Sequence, residues 1–388
     1  MMERDDLTAW LRLYLTAGVG NIAARQLLKA FGLPVQVFAQ SANALQQVVS
    51  ARQAQALLET PSDLTELAQT TWNWLQAAPD CHRLLTLGDT TYPQSLLQIE
   101  DPPLLLYAIA NADLWQSQWL AHSIDRCIAV VGSRNPSPQG VQNARQFSCT
   151  LAQTGLTIVS GLALGIDGAA HEGALLGAPA AQCATIAVVG TGLDRVYPKQ
   201  HHDLARRIAQ RGILLSEYAL GTPALSANFP KRNRIIAGLA RGTLVVEAAL
   251  RSGSLITARL AAEQGKDVFA IPGSIHSTQA RGCHALIRQG AKLVESAEDI
   301  LEELQFTSPA AIATSLYNSP TIAAEDSDFS KAENHLLQAL GFDPTGLDAL
   351  QARTGLDTAT LQAQLMALEL QGHVARLPGG LFQRIARA

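Results

Sequence analysis

Charge is scarce in this chain. Lys, Arg, Asp and Glu make up 16% of its 388 residues, aromatic residues make up 5%, and the net charge is −4, whereas a typical globular protein is about one quarter charged. A protein coated in positive charge is excluded, so any nucleic acid must be held at a local patch. Composition alone points to a small-molecule protein. The five cysteines (Cys81, Cys127, Cys149, Cys183, Cys283) include no CxxC pair, which excludes a zinc ribbon or redox dithiol and suits reduced thiols in a cytoplasmic protein. No run of eighteen apolar residues occurs, so no membrane span is expected. The opening stretch MMERDDLTAWLRLYL is acidic where a secretory signal is basic.

Catalytic templates are absent as well. There is no GxxxxGK[ST] loop for the usual ATP hydrolysis, no GxSxG elbow, and His171-Glu172 lacks the second histidine of HExxH. His201-His202-Asp203 reads as the polar start of a helix rather than a metal site. Neither metal nor cofactor is expected.

What is present is apolar and segmented. At 47% hydrophobic content the chain can bury a large core in two or three domains. Residues 1–75 read as short helices resembling a SAM or helix-hairpin-helix domain. There Gly18-Val19-Gly20 opens a helix with apolar residues at Ile22, Leu27, Leu28 and Phe31. Residues 80–304 alternate apolar runs with Ala/Leu-rich helical stretches, the pattern of a doubly wound, mostly parallel α/β sheet of extended Rossmann type. Six strands are expected, at 127–132, 156–161, 184–190, 213–218, 243–248 and 267–273, each buried on both faces. Residues 305–330 read as a linker rich in Ser, Ala and Thr. Residues 331–388 fit a winged helix, with helices near 331–340, 346–353 and 358–371 and a wing turning at Pro378-Gly379-Gly380. Its recognition helix, DTATLQAQLMALELQG, has no Lys or Arg. A protein contact suits it better than groove reading, with Arg376, Arg384 and Arg387 available for weak backbone contact.

The chemistry lies in turns along one sheet edge, where open α/β folds bind ligands. Gly132-Ser133-Arg134 follows a strand, and the small residues let an oxyanion reach backbone N–H groups while Arg134 forks onto it. Gly161 and Gly165 shape a second turn, and Asp167 is placed for a helix cap. Ser252-Gly253-Ser254 forms a third nest before a helix. In Asn228-Phe229-Pro230-Lys231-Arg232-Asn233-Arg234, proline sits in the first helical turn. Three cations then crowd the positive end of the helix dipole, each costing about 0.3–1 kcal/mol without a counter-charge. Either a bound polyanion or an internal acid such as Glu217 or Glu247 must offset them. Phe229 offers a face for a base to stack on.

Together, IAVVGSRNPSPQG, IVSGLALGIDGAAHEGAL, TIAVVGTGLDRVYPKQHHDLA, NFPKRNRIIAGLA and VVEAALRSGSLITARLAAEQGKDVFAIPG resemble the bacterial DNA-processing protein A family (DprA, also called Smf), over about residues 80–300. The resemblance implies a homodimer that binds single-stranded DNA along its backbone, shields it, and helps load RecA recombinase onto it during natural transformation, without catalysis. It places DNA on Gly132, Ser133, Arg134, Phe229, Lys231, Arg232, Asn233, Arg234, Ser252, Gly253 and Ser254. Family members often carry a lysine shortly before the FPxRN block, and residues 222–227 here have none. Either Lys231 substitutes or one phosphate contact is missing. The alternative is a nucleotide-binding Rossmann-like enzyme resembling nucleoside monophosphate phosphoribohydrolases, for which Arg134 and Glu247 would be the acting residues.

Overall fold

The computed structural model describes residues 2–117, 120, 126–306, 331–342 and 344–385. The expected linker falls almost wholly on residues 307–330, outside the described residues, as does Arg387. Six helices come first: α1 Arg4–Leu15, α2 Asn21–Phe31, α3 Pro34–Phe38, α4 Ala42–Leu45, α5 Ala51–Leu58 and α6 Leu64–Ala77. Their apolar faces, including Leu7, Trp10, Leu11, Leu27 and Leu57, share one core with Leu84, Leu105 and Tyr107. The buried Thr71 hydroxyl meets the Tyr107 hydroxyl at 3.0 Å. The helical part therefore packs on the edge of the sheet that follows.

That sheet has nine strands: β1 His82–Thr86, β2 Leu105–Ala110, β3 Cys127–Val131, β4 Thr157–Ser160, β5 Thr185–Val188, β6 Ile213–Ser216, β7 Gly242–Val245, β8 Asp267–Ala270 and β9 Lys292–Leu293. Their spatial order is β1-β2-β6-β5-β4-β3-β7-β8-β9. All neighbours from β6 to β9 run parallel, whereas β1 and β2 pair antiparallel and β2 pairs antiparallel with β6. The six expected strands are β3 to β8. The fully buried strands Cys127–Val131 and Thr185–Val188 show why nearly unbroken apolar runs were the right signal.

Helices cover both faces. On one side lie α8 Pro138–Gln153, α9 Ile166–Gly177, α10 His202–Arg211 and α14 Ala297–Glu303. On the other lie the short α7 Ala112–Gln116, α11 Asn228–Leu239, α12 Ser254–Glu263 and α13 Arg281–Arg288. Helices α8 and α9 approach closely because Gly173 and Gly177 lack side chains. A Cβ at either would stand 2.0 Å from the Arg145 carbonyl oxygen or 2.1 Å from that of Cys149. Strand order reverses around β3, with β4 on one side and β7 on the other. That places a crevice beyond the carboxyl ends of these strands.

The C-terminal part is a winged helix. Helices Lys331–Leu340, Leu347–Thr354 and Thr358–Leu370 pack with a three-stranded sheet whose wing is Val374–Leu377 and Leu381–Arg384. Among the described residues, no helix is long and apolar enough to cross a membrane, and no His/Cys/Asp/Glu cluster could hold a metal ion.

Candidate functional site

A cleft of about 700 Å³ opens at the crevice beyond β3 and β7. Its first wall is the turn after β3. Gly132 is required there because a Cβ would meet Ile166 at 2.6 Å and the Glu247 carbonyl oxygen at 2.9 Å. The Ser133 amide donates to that carbonyl at 2.7 Å, and the Ser133 carbonyl accepts from the Ile166 amide at 3.1 Å. The turn is thus clamped between β7 and α9, and Arg134 is left projecting, exposed. Its guanidinium lies over the Phe229 ring, 5.3 Å from the centroid, and among the described residues it has no ion-pair partner.

The second wall is the turn before α12. Gly253 faces open space, the Ser252 and Ser254 hydroxyls hydrogen-bond at 2.7 Å, and Arg251 is exposed beside them. The third is α11, which presents Phe229, Arg232, Asn233 and Ile236 to the cleft. These follow the i, i+3, i+4, i+7 spacing of one helix face. Asn233 donates to the Gly253 carbonyl at 3.3 Å, tying α11 to the second wall.

Arg232 differs from the expected surface cation. It is 4% exposed, donates to the Val188 carbonyl at 2.8 Å, and lies 4.0 Å from Asp167. Burial lowers its pKa from the usual arginine value, with Asp167 opposing the shift. Its guanidinium rests across Gly161, where a Cβ would coincide with it. Gly161 is therefore small to seat Arg232 rather than to receive an anion directly. Asp167 lies in the first turn of α9 with Gly165 at the cap position. Gly165 has φ of 79°, and its missing Cβ makes room for the Ser133 carbonyl oxygen. The Asp167 carboxylate accepts from the Gly161 and Ala163 amides at 3.1 and 3.4 Å. Burial raises its pKa, with Arg232 and those amides opposing.

The structure places Arg234 and Lys231 outside the lining of the first cleft. Arg234 is turned inward, 14% exposed, with a forked pair to Glu217 at 3.1 and 2.6 Å and a third hydrogen bond to Asp101 at 3.0 Å. The countercharge at this helix start is internal for Arg234. Lys231 is exposed but lines a second cleft, with Tyr14, Asn21 and Tyr218. It does not line the first cleft. Ala224 and Ser226 line the first cleft where the 222–227 stretch passes. Residues 231 and 234 share one helix face and residues 229, 232 and 233 another, so one spiral of cations serves two clefts.

Glu247 is engaged too. Its carboxylate accepts from the Ser137 amide at 2.9 Å and from the Ser137 hydroxyl, while that hydroxyl caps α8 through the Gly140 amide. Asp167 is the carboxylate lining the cleft, and it too is tied to backbone. Both carboxylates are thus engaged with amides of the protein itself. Sequence reasoning passed over Tyr197, which lines the cleft with 48% exposure and lies 5.6 Å from Phe229 between ring centroids.

Beneath the cleft, His171 is fully buried, hydrogen-bonded through Nδ1 to Thr185 at 2.7 Å and unpartnered at Nε2. Burial, then His201 and Arg232, lowers its pKa to about 3. Its folded value lies below its unfolded one, so its contribution to stability is complete above about pH 6.5 and is lost as pH falls toward 3. Thermal melts from pH 7 to 4 should show His171→Gln with a shallower pH dependence than wild type. The difference is at most about 1.4 kcal/mol per pH unit. Comparing the two proteins separates this from Asp167, whose raised pKa acts in the opposite sense.

In the winged part, the exposed face of Thr358–Leu370 carries Met366 and Leu370, 63% and 81% exposed.

Comparison with known proteins adds the following. A family model for DNA recombination-mediator protein A matches residues 83–305, and one for the DprA winged helix domain matches 319–380. The chain is 42% identical over 349 residues to protein Smf of Escherichia coli (strain K12), covering 89% of this chain and 87% of that protein. It is 49% identical over 218 residues to DNA processing protein DprA of Streptococcus pneumoniae, covering 56% of this chain and 73% of that one. The X-ray structure of S. pneumoniae DprA aligns with a TM-score of 0.62 at 37% identity, covering 79% of this chain and 99% of that one.

Proposed function

Since the chain belongs to the DNA recombination-mediator protein A family, we propose that it binds single-stranded DNA along its backbone in the first cleft and breaks no bond in it. The observation carrying this reading is the content of that cleft. Two cations without an ion-pair partner among the described residues, Arg134 and Arg251, and the Ser252 and Ser254 hydroxyls flank the Phe229 and Tyr197 rings, while its carboxylate, Asp167, faces its own backbone. Phosphates suit the cations and hydroxyls, and unpaired bases suit the rings. A duplex keeps its bases stacked inside and gains only the phosphate contacts. By family membership we further propose that the chain acts as a homodimer, which doubles the track, shields the strand and helps load RecA recombinase during natural transformation. The winged helix, with no cation on its recognition helix and Met366 and Leu370 outward, is proposed as a protein-contact module.

Titration of single-stranded and duplex oligonucleotides at about 50 and 200 mM salt tests the binding. From sequence alone, roughly four to six phosphates per protomer give a slope of about −3 to −4 on single strands. With Arg234 paired and Lys231 in the other cleft, two or three cations remain. The expected slope is about −1.5 to −2 per protomer, with duplex bound more weakly. Equal affinity for duplex, or no salt dependence, would overturn the reading.

A further inference from the structure

We infer that Tyr197 forms a second base-stacking subsite for an unpaired nucleobase next to Phe229, extending the track by one nucleotide toward the carboxyl end of β5. The inference rests on the single-strand reading and adds a residue to it. Phe229 is only half-open: a Cβ on Gly190 would stand 3.1 Å from its ring, and the Arg134 guanidinium lies over it. Tyr197 is the more open aromatic of the cleft, 48% exposed. Large exposed rings are uncommon at sites without a partner, because an aromatic side chain left in water forgoes its burial free energy.

The geometry also selects the ligand. The two rings are inclined at 36° with centroids 5.6 Å apart. That spacing is too close for a base to slip between them, so each ring offers an outer face. Bases stacked on those outer faces stand farther apart than the rings themselves, well beyond the about 3.4 Å rise of successive bases along one strand of a duplex, whereas a splayed single strand can place one base on each ring. Lys199, two residues on, is exposed.

The test uses the full-length protein with fluorescently labelled oligothymidylate. Tyr197→Ala is expected to weaken binding about 5- to 20-fold, the lower part of what one base stack contributes, while Tyr197→Phe stays within about twofold of wild type. A strand with one abasic position, scanned along its length, should lose less affinity on Tyr197→Ala than on wild type at the register where the base is missing. Since Tyr197 is half-exposed, its thermal melt serves as the control for folding. Wild-type binding that Tyr197→Ala leaves unchanged would overturn this inference alone. Absence of single-strand binding by wild type would overturn the reading beneath it as well.

Discussion

Arg234→Ala is expected to destabilise the fold by about 3–5 kcal/mol, the range for leaving one member of a buried ion pair without its partner. Arg234 and Glu217 are 14% and 12% exposed, and their fork bridges α11 to the residue directly after β6. The additional arm to Asp101 reaches a carboxylate that is 39% exposed, so solvent screening makes it the lesser contribution. Removing the guanidinium strands Glu217, whose pKa burial already pushes up against the opposing pull of Arg234. In the variant, Glu217 is raised further above its unfolded value. Its contribution is therefore retained below the unfolded pKa and lost as pH rises through the folded one, and the defect deepens toward neutral pH. Urea unfolding of wild type, Arg234→Ala and Arg234→Ala/Glu217→Gln at pH 5 and pH 7.5 checks this. The double variant should recover part of the loss. A wild-type melt combined with lost DNA binding would instead make Arg234 a phosphate ligand.

The cation run at 231–234 shows where sequence reading succeeded and where it stopped. A cluster of cations at a positive helix end needs a counter-charge, and for Arg234 the internal acid Glu217 supplies it. Successive helical residues point about 100° apart, so Lys231, Arg232 and Arg234 cannot serve one surface. Spacing alone sorts Phe229, Arg232, Asn233 and Ile236 onto one face and Lys231 with Arg234 onto another. Strands β3 to β8 were legible because buried parallel strands are unbroken apolar runs ending in small residues. Strand β2, LLYAIA, was not, since leucine and alanine favour helix and its only β-branched residue is Ile109. Strand β9 has two residues, too few for any periodicity. The Gly132 and Ser252 turns line one cleft because the parallel pairing of β3 with β7 puts their carboxyl ends on one rim. Tyr197 escaped because it belongs to no turn and no charge cluster, and only the folded path from β5 to α10 carries it to the cleft.

Arg134→Ala should produce the largest loss in DNA affinity, about 10- to 150-fold, corresponding to the roughly 1.5–3 kcal/mol of a hydrogen bond to a charged group. Arg134 is exposed and has no ion-pair partner among the described residues, so its removal breaks no buried pair and leaves the melt close to wild type. Arg232 stands in the opposite position. It is buried, committed to the Val188 carbonyl and set against Asp167, so truncating it disturbs the cleft floor and stability together. Arg134→Lys should restore charge without the planar fork and recover affinity in part. Losing one phosphate contact should also make the salt slope shallower by about 0.7 on single strands. That change distinguishes a lost phosphate contact from a lost stack, which alters affinity at constant slope. The two effects meet at Phe229, since the same guanidinium covers its ring. Without Arg134 the ring is uncovered, so base stacking there should persist, and the variant should keep its preference for single strands over duplex while losing overall affinity. A variant that binds both forms as tightly as wild type would remove Arg134 from the site, and with it the reading of the cleft as a phosphate track.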